Sequence, residues 1–140
     1  FGKVLCLDNV SGAAPKLLEL SPRNYQDDGS AIRRVATAVL PLTDTQIEIK
    51  RALVEGQMGL GLDGTVQGSD PMMMVRVAPD GRSFDHEITR SLGKIGEFGR
   101  RAEISPIGVM GGSPIAVEFA LSDPVPFSLT GLHLNKDVRR

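Results

Sequence analysis

Histidine, cysteine and acidic residues are the side chains of this sequence whose chemistry could serve catalysis or metal binding. The two histidines are His86 and His133, and the one cysteine is Cys6. His86 lies between Asp85 and Glu87, but neighbouring residues of a strand point to opposite faces, so "DHE" does not form a ligand set. A single cysteine excludes an internal disulfide and a multi-cysteine zinc site. We therefore predict no catalytic residue, no metal site and no cofactor.

Three further patterns have structural explanations. The segment "GLGLDG" (59–64) is superficially similar to phosphate-binding loops. A dinucleotide fingerprint must open a helix, however, and further glycine and proline follow here. Asp27 and Asp28 precede Gly29 in "DDGS", a composition typical of turns. The run "KVLCLD" predicts that Cys6 is a buried, small apolar residue of a first strand.

Composition is that of a globular domain with no preference for nucleic acid or membranes. The chain has 140 residues, with 16 Lys and Arg against 17 Asp and Glu, for a formal net charge of -1. This balance gives no general basic surface for nucleic acid, although local arginine pairs remain candidates. No apolar run approaches the ~18–20 residues that span a bilayer, so no membrane partner is predicted.

Alternating polarity between glycine- and proline-rich breaks predicts many short strands. In "TQIEIKRALVE" (45–55), Ile47 and Ile49 share one face, and Leu53 is expected to continue it. The clearest strand is "IAVEFAL" (115–121), and "MMMVRV" (72–77) is expected to be a strand covered on both faces. We predict an all-β antiparallel domain of about eight short strands, a sandwich or a propeller-derived fold with long Gly/Pro-rich loops. We expect residues 1–134 to form this single domain and residues 135–140 to form a polar tail.

The segment "APDGRSFDHE" (78–87) resembles an Asp-box, the hairpin turn of sialidase-like β-propellers. The resemblance assigns turn positions to Asp80, Gly81, Ser83 and Phe84. It implies that the aspartate binds backbone amides and that the aromatic ring packs beneath the turn. The leading serine of the motif is replaced by Ala78, and the spacing is one residue short. The box is a structural turn and does not imply hydrolysis.

Four segments, taken in order, resemble the tail-hub proteins of short-tailed bacteriophages, also called packaged-DNA stabilisation or head-completion proteins. The four segments are "NYQDDGSAIRR" (24–34), "GLGLDGTVQGSDPMMMVRVAPDGRSF" (59–84), "SLGKIGEFGRR" (91–101) and "SDPVPFSLTGLHL" (122–134). Two departures stand out: the family usually has Trp where this chain has Phe84, and it has Trp-Arg-Arg-Leu-Gly where this chain has "EISPIG" (103–108).

The resemblance implies a structural, non-enzymatic protein of the virion tail, assembled in the host cytoplasm. It implies a ring of identical copies that contacts the portal, its adaptor and other tail proteins, and that retains packaged DNA as a head-to-tail connector. It also implies that this segment is the carboxyl-terminal part of a longer chain. In such a ring, Arg33, Arg34, Arg100 and Arg101 are the candidates to face DNA.

Two other functions fit an all-β chain. One is a carbohydrate-binding domain or sialidase-like propeller fragment, for which the Asp-box-like turn is the argument. The presence of only five Phe, one Tyr and no Trp is evidence against it, because glycan sites tend to use exposed aromatic rings. The other is a generic β-sandwich module for protein interaction, which differs from the tail hub only in its partners.

Overall fold

The structure is a computed structural model that describes residues 2–8, 14–41, 47–110 and 113–138, and every regular element among them is a β-strand. The strands are β1 (Val4–Asp8), β2 (Lys16–Leu20), β3 (Gln26–Asp27), β4 (Ser30–Ala31), β5 (Arg34–Leu40), β6 (Ile47–Gly56), β7 (Met72–Ala78), β8 (Ile88–Ser91), β9 (Ala102–Ile104), β10 (Gly108–Met110), β11 (Ile115–Leu121) and β12 (Leu129–Val138). All their pairings are antiparallel. The predicted all-β antiparallel class is confirmed.

The described residues contain twelve strands, whereas about eight were expected. The additional strands have only two residues each in β3 and β4, and three each in β9 and β10. Segments this short cannot show a two-residue alternation, so the sequence pattern does not reveal them. Within the described part of the chain, no helix is long and apolar enough to cross a membrane.

Two four-stranded sheets contribute to one hydrophobic core. The first has the order β10-β6-β12, with β9 also paired to β6, and the second has the order β5-β11-β7-β8. The core cluster draws on β6 and β9 of the first sheet and on β7 and β11 of the second. Its largest fully buried side chains include Met73, Ile104, Ile115 and Leu121. The choice between a sandwich and a propeller-derived fold stays a prediction.

A bulge in β6 changes which of its residues face the core. Ile47 and Ile49 are buried as expected, but the next buried residues are Ala52 and Val54, while Leu53 is only half-buried. The register with β12 shifts between Arg51 and Ile49, so that Lys50 is one extra residue on the β6 side. An extra residue reverses the alternation beyond it. The expectation that Leu53 continues the apolar face was therefore wrong.

The strand β7 is covered on one face and only partly on the other. Met73, Val75 and Val77 are buried in the core. On the opposite face Arg76 is half-buried, and Met72 is 40% exposed. The expected cover on both faces was wrong, because the outer face carries a charged side chain that retains access to water.

The hairpin formed by β1 and β2 exposes apolar residues on both of its faces. Directly paired residues point to the same face, which places Val4 with Leu20, and Leu7 with Leu17 on the other face. These four side chains and Leu5 are all exposed. Cys6, expected to be buried, is exposed as well. Among the described residues β1 and β2 form a separate two-stranded sheet, so no neighbouring sheet covers them.

The carboxyl-terminal strand is longer than the sequence pattern indicated. Strand β12 pairs with β6 from Leu129, opposite Gly56, to Val138, opposite Ile47. Residues 135–138, expected to belong to a polar tail, are therefore part of the sheet. Backbone pairing needs no apolar side chain, so a polar sequence does not prevent it. Residues 139–140 lie outside the described residues.

Replacing Leu121 by Ala should lower the free energy of unfolding by about 2–5 kcal/mol, because the side chain is fully buried in the shared core. Urea denaturation followed by circular dichroism measures this. The matched control is Leu17→Ala, at a side chain that is 68% exposed, which should change stability by less than about 0.5 kcal/mol. Equal losses in the two variants would contradict the position of the core.

Candidate functional site

The connection between β7 and β8 is organised by Asp80. Its carboxylate oxygen Oδ1 accepts hydrogen bonds from the backbone N–H of Arg82 at 2.8 Å and of Ser83 at 2.6 Å. The N–H of Gly81 donates to the carbonyl oxygen of Ala78 at 3.1 Å, which closes the turn. The side chain thus satisfies two main-chain donors that the sheet does not use.

The same contacts keep the Asp80 carboxylate ionised. The Ser83 side chain, followed by the backbone N–H groups of Ser83 and Arg82, lowers the pKa of Asp80 to about 2. Hydrogen bonds to the charged form favour that form. Gly81 has a φ of 73°, and a Cβ there would lie 2.9 Å from the carbonyl oxygen of Pro114. The turn therefore requires both the carboxylate and the glycine.

Phe84 lies under a charged network on the outer face of β7 and β11. The Arg76 guanidinium carbon is 5.1 Å from the centre of its ring, which is cation–π range. Arg76 also pairs with Glu118 at 2.6 Å, and Arg33 pairs with the same Glu118 oxygen at 3.1 Å. The hydrogen bond from Arg76, with a smaller contribution from Arg33, lowers the pKa of Glu118. These contacts hold the Asp80 turn against the second sheet.

Arg34 is a structural anchor. Its Nη1 donates to the carbonyl oxygen of Val125 at 2.8 Å, and its Nη2 donates to that of Asp123 at 2.6 Å. The guanidinium also lies 5.2 Å from the Tyr25 ring centre. Burial lowers the pKa of Arg34. Because these donors serve the protein's own carbonyls, the position of Arg34 differs from the DNA-facing one expected for it.

The other three candidate arginines have different surroundings. Arg33 is exposed but paired with Glu118, as described above. Arg100 pairs with Glu97 at 3.1 Å, and both side chains are exposed. Arg101 is exposed, and together with Arg100 and Phe98 it lines a surface depression against β6. Arg33 and Arg100 are thus exposed but ion-paired, whereas Arg101 is exposed and has no ion pair among the described residues.

Two of the four segments that carry the family resemblance lie directly against each other. The N–H of Gly59 donates to the carbonyl oxygen of Leu92 at 2.9 Å, and the N–H of Gly96 donates to that of Gly59 at 3.1 Å. The Ser91 hydroxyl donates to the carboxylate of Asp70. Segment 59–84 and segment 91–101 are therefore joined by main-chain contacts as well as by side chains.

Glycine is required at this contact for steric reasons. A Cβ on Gly61 would overlap the carbonyl oxygen of Ser69 and would lie 3.1 Å from the backbone nitrogen of Ile95. A Cβ on Gly59 would lie 2.7 Å from the backbone nitrogen of Phe98. Real Cβ atoms essentially never come within 3.0 Å of backbone atoms, so a larger residue at Gly59 or Gly61 would force the backbone at this contact to shift.

Asp123 joins the remaining segments. Its carboxylate accepts the backbone N–H of Met72 at 2.8 Å, while its carbonyl oxygen accepts Arg34 as described above. Segments 24–34, 59–84 and 122–134 thus meet at one turn. Sequence reasoning did not identify Asp123 as important. The sequence does contain a pattern that indicates a turn at Asp123, because "SDPVP" ends the alternating strand pattern with an aspartate before a proline.

The described residues contain no group of three or more His, Cys, Asp or Glu that could hold a metal ion. His86 is exposed in the connection after the Asp80 turn. The His133 Nε2 lies 3.0 Å from a carboxylate oxygen of Glu55, on the exposed surface of β12. His86 therefore lies in a connection and His133 on strand β12, and the two share no site.

No protein-family model matches this chain, and no curated protein matches it in sequence.

Substituting Asp80 by Asn should lower the melting temperature by a few degrees at neutral pH, because the amide accepts the two backbone N–H groups more weakly than the carboxylate does. The pKa of Asp80 is about 2 in the folded chain, below its ordinary value of 3.8, so the carboxylate stabilises the fold above pH 3.8. That contribution is lost as the pH falls from 3.8 through about 2. The difference between the two melting temperatures should therefore shrink over this range, and a constant difference would contradict the assigned contacts.

Replacing Gly61 by Ala should lower the free energy of unfolding by about 1–3 kcal/mol, because the added methyl group overlaps fixed backbone. Gly99→Ala is the matched control, since nothing lies within 4 Å of a Cβ at that position of the same loop region. Chemical denaturation of both variants measures the difference. A Gly61→Ala protein as stable as Gly99→Ala would show that the two segments are not in tight contact.

Proposed function

We propose that the chain is a structural, non-enzymatic virion protein of a short-tailed bacteriophage. In this proposal it forms part of the tail hub, a head-to-tail connector ring that retains packaged DNA and anchors other tail components. The partners are copies of itself, the portal and its adaptor, and further tail proteins. The site of action is the virion tail, after assembly in the host cytoplasm.

The observation that carries the proposal is that several large apolar side chains are exposed on this all-β chain. The β1–β2 hairpin exposes Val4, Leu5, Leu7, Leu17 and Leu20. Ile95 and Phe98 are exposed on a loop that a main-chain hydrogen bond from Gly96 joins to Gly59, in the connection after β6. Monomeric soluble proteins rarely leave contiguous apolar patches uncovered, so such patches indicate contacts with other proteins.

The arrangement of the four resembling segments supports a mechanical role. They meet through Arg34, Asp123 and Met72 on one side, and through Gly59 and Leu92 on the other. These contacts join main chain to main chain, or main chain to the side chains of Arg34 and Asp123. They make the loops stiff, and stiff loops suit a part that transmits load between a head and a tail.

Contact with DNA in this proposal depends on few residues. Arg34 is engaged with protein carbonyls, and Arg33 is paired with Glu118. Arg100 is exposed although it pairs with Glu97, and Arg101 beside it is exposed with no ion pair among the described residues. Two phosphate contacts per copy give a weak, salt-sensitive attraction that becomes appreciable only when a ring presents several copies together.

The carbohydrate-binding alternative has less support from the geometry. Asp80 directs its carboxylate to its own turn, and the face of the Phe84 ring is occupied by Arg76. Neither group is presented to a sugar. The generic interaction module uses the same exposed surfaces, so only its partners distinguish it from a tail hub.

The protein that contains this chain should form a symmetric ring whose abundance rises with concentration. Multi-angle light scattering gives the mass, and negative-stain electron microscopy gives the symmetry. Mass spectrometry of purified particles should find the protein beside the portal. A protein that stays monomeric at all concentrations and is absent from particles would contradict the proposal. Specific signals on a glycan array would instead favour the carbohydrate-binding alternative.

A further inference from the structure

The loop of residues 93–101, named here the basic loop, presents two large apolar side chains to solvent. Ile95 is 61% exposed and Phe98 is 69% exposed. Lys94, Arg100 and Arg101 flank them, against the single acid Glu97. The loop therefore combines an aromatic and an aliphatic side chain with an excess of positive charge, the composition found at the anchor points of protein interfaces.

The basic loop is held in shape before any partner arrives. The Glu97 carboxylate accepts the backbone N–H of Lys94 and a guanidinium N–H of Arg100, both at 3.1 Å. The N–H of Glu97 donates to the carbonyl of Lys94 at 3.0 Å, and the N–H of Gly96 donates to Gly59. A preorganised loop loses little conformational entropy on binding, so more of its contact energy appears as affinity.

An acidic, partly apolar depression lies elsewhere on the same chain, between the β1–β2 hairpin and the β3–β4 turn. This acidic groove has a volume of about 660 Å³. Its apolar lining is Cys6, Leu18, Leu20 and Ile32. Its acidic lining is Glu19, Asp27 and Asp28, and none of its lining residues is basic.

Two lysines outside the groove lining pair with two of the acids. Lys3 pairs with Glu19, and Lys16 pairs with Asp28. Asp27 has no ion pair among the described residues. All these groups are exposed, and exposed pairs exchange partners at little cost. The groove thus keeps a negative site for an incoming cation.

The β1–β2 hairpin forms one wall of the groove, and its apolar side chains are exposed to solvent. A two-stranded hairpin alone is marginally stable in water, and this one pairs with no other sheet among the described residues. The face that holds Leu20, which is 68% exposed, is the face that lines the groove. An apolar occupant would remove this surface from water and hold the two strands together.

We propose that the basic loop of one copy of this chain occupies the acidic groove of a second copy. The inference rests on the proposed function for the expectation that copies associate, and it names the two surfaces that meet. Phe98 and Ile95 contact Leu18 and Leu20, while Arg101 lies near Asp27 and is then not available to DNA within the ring. The occupant is a second copy because both complementary surfaces occur on this one chain.

The two surfaces are different patches of the same subunit, so the contact is head-to-tail. Such a contact can be repeated from copy to copy, and it produces a closed ring when the rotation between copies is right. A stable two-protein interface buries about 800 Å² on each partner, more than two apolar side chains supply. A single contact is therefore weak, and closure of the ring, which gives every copy two contacts, stabilises the assembly.

The experiment uses one variant of each surface in the protein that contains this chain. Phe98→Asp disables the basic loop, and Leu20→Arg disables the acidic groove. Each variant alone should associate more weakly than the unmodified protein by about tenfold or more, as measured by sedimentation velocity over a range of concentrations. Mixed in equal amounts at high concentration, the two should form a heterodimer and nothing larger, because one intact loop can meet one intact groove but no ring can close.

Matched controls separate this contact from general effects. Leu17→Arg changes a side chain that is also 68% exposed but lies on the opposite face of the hairpin, and it should leave association unchanged. Arg101→Glu should weaken association, and Arg101→Glu combined with Asp27→Lys should restore it. This charge exchange keeps the test decisive if Leu20→Arg or Phe98→Asp lowers the melting temperature.

The outcomes distinguish this inference from the proposed function. Unmodified protein that forms rings while both surface variants also form them overturns the loop-in-groove contact and leaves the tail hub standing. Loss of DNA binding in Phe98→Asp with unchanged self-association also overturns it, because DNA would then be the occupant. Unmodified protein that is monomeric at every concentration counts against the proposed function itself.

Discussion

Residues 59–61 and the basic loop approach each other so closely that their backbones are nearly in contact, and this constraint determines which side chains the loop exposes. Residues 59–61 lie so near the basic loop that a side chain at Gly59 or Gly61 would meet backbone atoms. The loop consequently has no space to fold its apolar side chains inward, and Ile95 and Phe98 project into solvent. A steric requirement inside the molecule therefore determines what the outside can bind. The glycines at this contact serve close packing of backbone, whereas the "GLGLDG" pattern alone had invited comparison with phosphate loops.

Hydrogen bonds from polar side chains join segments of the chain that strand pairing does not connect. Asp123 uses its carboxylate for the backbone of Met72 and its carbonyl for Arg34, so one turn ties together three distant parts of the chain. Glu118 does the same for the outer face, where it binds Arg76 and Arg33. In both places a charged side chain finds its partners within the protein.

The all-β class and the main core strands could be predicted from the sequence because alternation is a local property. The segment 115–121 alternates without interruption and is strand β11. The sequence did not predict features that depend on contacts between distant segments, such as which face of a strand is buried. The extra residue at Lys50 moves Leu53 off the core face, and only the pairing with β12 reveals it. Cys6 belongs to a strand that resembles a core strand, yet it is exposed because its hairpin joins neither main sheet. The sequence also could not predict which of the four candidate arginines bind groups of the protein itself. Their partners are carbonyl and carboxylate groups, and for Arg33 and Arg34 these are distant in the sequence.

The pairing of β6 with β12 has a consequence for biosynthesis. These strands form the longest ladder among the described residues. Residues 47–56 cannot complete it until residues 129–138 have been synthesised. Until the ribosome has released that late segment, β6 exposes one open edge and the apolar side chains of its inner face. Pairings between such distant segments form slowly, and exposed strand edges in the interval attract other nascent chains. Rapid synthesis of many copies in one cell would therefore favour chaperones that shield β6 until its partner strand emerges.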